Sequence, residues 1–235
     1  MASEENKGID TIKKFVSLEA NENLVNVFKA VISNFPVGSG IASLMSDFIP
    51  SKRLLRLEEF SKNVADDLEY FKESIKEEII TTEEFAYVFE ECFRGASQNY
   101  QKEKLGAFRA ILVNSAQTSS IPNDEKEYFI NLVNTFTPLH LRILKFMAMP
   151  EVYLDENNIP TSNIQGGFSS FFPVALPGVD IEIIKMAFND LYQNGFINTD
   201  KSIFTTMTSG QGLQLLGNRV SVIGNKFINF CSLEK

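Results

Sequence analysis

Tryptophan is absent from this chain of 235 residues, histidine occurs once, and cysteine occurs twice. The single imidazole, His140, sits among Leu139, Leu141 and Ile143 and has no second histidine with which to share a metal. No serine or cysteine stands at a spacing from which a nucleophile and its base can be argued. His140 therefore reads as a core or surface residue of a helix, and no catalytic residue is expected. Cys92 and Cys231 form no Cys-x-x-Cys pair and have no neighbouring histidine, which excludes a zinc site and a disulfide framework and suits a reducing, cytoplasmic setting. Neither metal nor cofactor is expected.

Cations are also scarce. Lys and Arg number 22 against 30 acids, a net charge of −8, and this deficit opposes the phosphate attraction that dominates nucleic-acid binding. The opening "MASEENKGID" has neither the positive start nor the apolar run of a secretory signal, so export is not expected. Long apolar runs are missing too. Between Lys29 and Asp47 lie 17 residues, nine of them apolar and one of them Pro36, whereas a membrane span needs about 20 mostly apolar residues.

What the chain does have is helical periodicity. Leu24, Val27, Phe28, Val31 and Ile32 form one amphipathic stripe, which falters at Phe35-Pro36. Gly38 and Gly40 allow a reversal, and a short second helix over 39–48 follows. Ser51 reads as an N-cap. Behind it Leu57, Phe60, Val64, Leu68, Phe71, Ile75 and Ile79 predict one long, nearly straight helix with an eleven-residue repeat. Thr82 opens the next helix, with Phe85, Val88, Phe89, Cys92, Phe93, Ala96 and Tyr100 on one face, and another begins at Lys102. A polar linker, 114–124, leads to a helix carrying Tyr128, Phe129, Leu132 and Val133. The acidic pairs Asp66-Asp67, Glu77-Glu78, Glu83-Glu84 and Glu90-Glu91 alternate with lysines and read as solvated faces.

The character changes at Thr137-Pro138, a cap with proline in the first helical position. A helix to about Pro150 is followed by a long Pro/Gly/Phe loop, 151–178, and then by the amphipathic "DIEIIKMAFNDLYQNGFIN", closed by Gly195. Phe196-Ile197 and 203–208 predict a small hairpin, and "VSVIGNKFINFCSL" resumes helical spacing. The fold class is mainly α: a helical bundle over 1–134, then a small winged-helix-like α+β domain over 135–235.

That last assignment rests on a resemblance. "TPLHLRILKFM" as first helix, "IIKMAFNDLYQNGFI" as the helix leading into the wing, and "SVIGNKFINF" as closing turn and helix resemble a winged-helix domain. The chain departs from that pattern in the long Pro/Gly loop, where a second helix would lie. Pro36, Gly38 and Ser39 with the charged run from Lys52 resemble helical bacterial proteins of unknown or phage-defence-associated role. The second resemblance implies a role in bacterial stress or phage defence.

Three surfaces compete for function. Phe168, Phe171, Phe172 and Pro173 would form a protein-partner surface if exposed, the alternative being a loop folded over the core. Phe35, Val37, Gly38, Gly40, Ile41 and Leu44 form either a buried helical hairpin or one that enters a membrane on triggering, with Lys52, Arg53 and Arg56 as solvated charge at a helix start or as lipid contacts. A phosphate loop there is excluded, because no strand precedes the glycines and no Gly-Lys-Ser/Thr follows. Lys185, Asn189, Arg219 and Lys226 are the nucleic-acid candidates of the winged-helix resemblance. They sit in a segment, 137–235, whose seven cations and eight acids sum to −1. The expected function is a non-enzymatic protein-interaction or regulatory module. A winged-helix DNA-binding regulator and a membrane-active effector stand as alternatives, and oligomeric state is open.

Overall fold

The computed structural model describes residues 48–117, 121–206, 213, 216 and 219–233. The predicted hairpin at 35–49 lies outside them but for its last residues, and so does the stripe from Leu24. The described residues are mainly helical, and they divide into two compact units between Asn134 and Thr135.

In the first unit, α1 (Phe48–Tyr70), α2 (Glu77–Ile80), α3 (Glu83–Gln98), α4 (Lys102–Gln117) and α5 (Asn123–Thr135) follow in order. Helix α1 buries Leu57, Phe60, Val64 and Leu68, four of the seven positions in the eleven-residue pattern. The long helix read from that pattern breaks after Tyr70, and Ser51 falls inside α1 instead of capping it. Three hydrogen bonds explain the break. The Ser74 hydroxyl and amide both donate to the Phe71 carbonyl, and the Lys76 amide is drawn away to the Ala116 carbonyl of α4 at 3.1 Å. With those donors diverted, the helical ladder cannot continue.

Helix α3 begins where Thr82 accepts the Phe85 amide at 3.1 Å. Its stripe of Phe85, Val88, Phe89, Cys92, Phe93 and Ala96 is buried, with Phe89 stacked on Phe93 and Phe60 of α1 edge-on to Phe93 at 5.1 Å. Tyr100 lies beyond the helix and is exposed. A Cβ on Gly95 would lie 2.3 Å from Cζ of Phe108, so the missing side chain is what lets α3 and α4 approach.

The second unit comprises α6 (Pro138–Ala148), α7 (Pro150–Glu156), α8 (Phe168–Ala175), α9 (Ile181–Gln193) and α10 (Val222–Phe230), with 3-10 turns at Thr161–Asn163 and Lys201–Thr205. The stretch read as a loop, 151–178, is thus largely helical. Phe168, Phe171 and Phe172 have the spacing of one helix face, and all three are fully buried. They meet Phe146 of α6, Phe188 of α9 and Phe204, with Phe168 and Phe188 edge-on at 5.9 Å and Phe188 and Phe204 edge-on at 5.1 Å. Fully burying each such ring contributes about 1.5–3 kcal/mol. Glycines before it and Pro173 within it concealed a helix whose inner face is three phenylalanines and Ala175.

The hairpin is corrected as well. Ile203 lies in a 3-10 turn whose start is held by Asp200 accepting the Ser202 amide at 2.7 Å, and Ile203 and Phe204 are buried side by side instead of alternating. Ile197 forms an isolated antiparallel bridge with Val220, flanked by Asn198 N–H to Arg219 carbonyl at 2.7 Å and Ser221 N–H to Phe196 carbonyl at 2.9 Å. This bridge is the only β pairing among the described residues, and they contain no winged-helix β wing.

Helix α9 ends in a Schellman motif. Gly195, at φ +76°, donates to the Tyr192 carbonyl, and Phe196 donates to the Leu191 carbonyl, each at 2.9 Å. Ser221 then joins this turn to α10. Its hydroxyl donates to the Gly195 carbonyl at 2.6 Å and accepts the Gly224 amide at 3.0 Å. A Cβ on Gly224 would stand 2.2 Å from the Phe196 carbonyl oxygen, so only glycine fits.

Two glycine substitutions should separate packing from propensity. Gly224→Ala is expected to cost about 1–3 kcal/mol through overpacking. Gly106→Ala, inside α4 with nothing within 4 Å of its added Cβ, is expected to gain about 0.5–1 kcal/mol. Urea denaturation of the two variants checks both signs.

Candidate functional site

Among the described residues, one constellation has the form of a catalytic triad. Oγ1 of Thr137 lies 2.7 Å from Nδ1 of His140, and Nε2 of His140 lies 3.2 Å from Oδ2 of Asp190. Nucleophile, base and orienting acid are the roles such a set would play. The backbone decides otherwise. The Thr137 amide donates to the same Nδ1 at 3.1 Å, so the ring's one lone pair serves the N-cap of α6 and is not free to take the threonine proton. His140 fills the place of the Glu or Gln of a capping box, and its other nitrogen ties α6 to α9. Phe136 stacks on the ring at 5.0 Å with 13° between planes. The imidazole is buried and the Asp190 carboxylate largely exposed.

Other functional-looking side chains have similar work. Arg53 donates to Oγ of Ser97 at 2.8 Å and Arg56 to the Ser97 carbonyl at 3.0 Å, which places two cations at the negative end of α3. They are part-buried, not the solvated charge read from the sequence; Lys52 alone of the three is exposed. Asp67, read as part of a solvated face, is buried and ion-paired with Arg109 of α4 at 2.6 Å. Lys104 is buried and donates to the Asn134 carbonyl at 2.7 Å, in the last turn of α5. Burial lowers its pKa, and it lowers that of Lys126 too, with Glu84 pulling the latter back. Burial also pushes the Cys92 thiol well above its usual range, leaving an inert thiol where a reactive one would need to be depressed. No group of three or more His, Cys, Asp or Glu among the described residues could hold a metal ion.

The sites proposed from sequence fare unequally. Phe168, Phe171 and Phe172 are turned into the core and Pro173 is half-buried inside α8, so the protein-partner patch drawn from them is corrected: no partner can reach those rings. Phe35, Val37, Gly38, Gly40, Ile41 and Leu44 lie outside the described residues. No described helix is long and apolar enough to cross a membrane. Lys185 and Asn189 share a face of α9, but Lys185 is paired with Glu182 at 2.6 Å. Arg219 lies over the Phe168 ring at 5.7 Å, and Lys226 is on α10.

The face that sequence reasoning missed is on α9. The helix buries Ile184, Ala187, Phe188 and Leu191, whereas Ile183 is 50 % and Met186 62 % exposed. Around them stand Asp180, Glu182 and Asp190, all exposed. The signal was present in "DIEIIKMAFND": once the inner stripe is assigned, Ile183 and Met186 are left over.

No family model, curated protein or solved structure matches the chain.

Two measurements check the electrostatic assignments. The chain has one histidine, so its imidazole ¹⁵N spectrum at about pH 8 should show a single ring protonated at Nε2; an Nδ1–H tautomer would refute the cap. For Lys126, the charged form is the one that burial penalises. Its cost to folding is full below the lowered folded pKa and is relieved as pH rises through it towards the unfolded value. Lys126→Met should therefore raise Tm at neutral pH, and the gain should shrink at alkaline pH.

Proposed function

We propose that this chain is a non-enzymatic protein-interaction or regulatory module. The observation that carries the reading is the outward face of α9, where exposed Ile183 and Met186 stand among carboxylates. Interface cores favour exposed apolar groups of this kind, methionine included. In a DNA-binding winged helix, side chains at such a helix would offer cations to phosphate and Arg, Lys, Asn or Gln to base edges. Here the one lysine of the helix is paired with Glu182, and Asp180, Glu182 and Asp190 repel phosphate. Protein is the better fit to apolar groups rimmed by acids. The commitment of Thr137, His140 and Asp190 to a helix cap also supports a non-enzymatic reading. The setting implied by the resemblance of Pro36, Gly38 and Ser39, bacterial stress or phage defence, belongs to the same proposal.

A photo-crosslinking residue in place of Met186, in the cells that make the protein, tests this. Covalent products are expected with protein. Crosslinks to nucleic acid would overturn the reading, as would salt-sensitive duplex binding at about 50 mM salt that is lost when Lys185, Arg219 and Lys226 are changed to glutamate.

A further inference from the structure

We infer that the outward face of α9 receives a cationic amphipathic helix of a partner protein. The inference rests on the interaction-module reading and adds the chemistry of what is bound.

The inner stripe of α9 is complete without Ile183 and Met186, so burying those two side chains is no part of this unit's own core. They are three residues apart and lie on one face, less than one turn from each other. Methionine, unbranched and polarizable, adapts to whatever apolar surface meets it. Two residues anchor weakly by themselves, and the charges around them supply the selectivity. Asp180 at the start of the helix and Asp190 near its end are separated by ten residues, about 15 Å along the axis. Between them Glu182 is neutralised by Lys185, which leaves acid at both ends of an apolar centre. The complement is a helix with apolar residues at its middle and Lys or Arg two to three turns apart, laid along α9.

Charge also separates this occupant from the others. A second copy would set carboxylates against carboxylates in a chain already at −8. Anionic lipid headgroups and nucleic acid meet the same repulsion. A cationic protein segment gains from it, and its association should weaken with salt.

Three synthetic helical peptides of equal length and identical apolar face, flanked by lysine, glutamine or glutamate, are titrated against the full chain while the Ile183 and Met186 methyl resonances are followed. The lysine-flanked peptide is expected to shift both, to bind at least about tenfold tighter than the glutamate-flanked one, and to weaken with salt. Ile183→Asp with Met186→Asp, shown to be folded by an unchanged buried-methyl spectrum, is expected to lose that binding. Glu182→Lys, which leaves the apolar pair intact, is expected to narrow the preference for lysine. No shift at either methyl, equal binding of all three peptides, or binding that survives the double substitution would overturn the inference. Anionic vesicles shifting the same methyls would overturn it in favour of a lipid surface. These outcomes differ from failure of the module reading, which the Met186 crosslink reports: a protein crosslinked there through an acidic or uncharged segment leaves a module standing and removes only the cationic partner.

Discussion

The fold depends on giving every helix end a hydrogen-bond partner. A helix leaves roughly four amides and four carbonyls unpaired at its ends, and a chain built from many short helices multiplies those ends. Here side chains answer for most of the strategic ones. Arg53 and Arg56 reach the last turn of α3, Lys104 the last turn of α5, and Tyr153 donates to the Ala175 carbonyl that closes α8 at 3.1 Å. Asp180 holds the start of α9, and Ser221 serves the end of α9 and the start of α10 with one hydroxyl. Each bond is worth only about 1 kcal/mol net, but a buried end left unpaired costs more than the bond returns. These contacts are also what fixes neighbouring helices to one another within each unit.

This constraint has an electrostatic consequence. Helix C-termini and a buried carboxylate attract cations, and the chain meets that demand from a supply of only 22. Arg53, Arg56 and Lys104 are drawn to carbonyls, Arg109 is drawn to Asp67, and Lys126 lies buried near Glu84. Among the described acids, only Asp67 is buried. The exposed charge of the described residues is therefore weighted towards acids, and the outward side of α9 is a local instance of it. A partner attracted to such a surface is selected by charge before it is selected by shape.

Helical periodicity made most elements legible in the sequence. Thr82, Thr137-Pro138 and Gly195 marked real helix boundaries, the stripe of α3 was readable but for Tyr100, and α9 was legible as an amphipathic helix. Where reading failed, the cause was a tertiary partner that no local pattern announces. The long helix ended at Tyr70 because the Lys76 amide found Ala116, forty residues away in sequence. At Phe168, Phe171 and Phe172 the turn signals of Gly166, Gly167 and Pro173 mask an i, i+3, i+4 spacing, and the segment reads as loop. Phe196-Ile197 met Val220 instead of the nearer segment, since Asp200 had already turned 201–205 into a 3-10 helix.

The same failure explains why the proposed face on α9 did not stand out in sequence. A lone histidine, a basic run and an aromatic loop are the features that draw attention in a chain without a motif, and each proves to be a solution to a folding problem. What remains after folding is satisfied is less conspicuous: two apolar side chains on a helix whose core face is already full. Apolar residues exposed singly need no explanation. Ile183 and Met186 are different because they are adjacent on one helix face, and because the carboxylates of Asp180 and Asp190 bracket them along the axis. The apolar pair does not help α9 to pack, since packing uses Ile184, Phe188 and Leu191, while Asp180 gives one oxygen to the start of α9 and Asp190 gives one to His140 of α6. A face that folding does not require, combining apolar surface with one sign of charge, is the part of this unit best placed to act on something else.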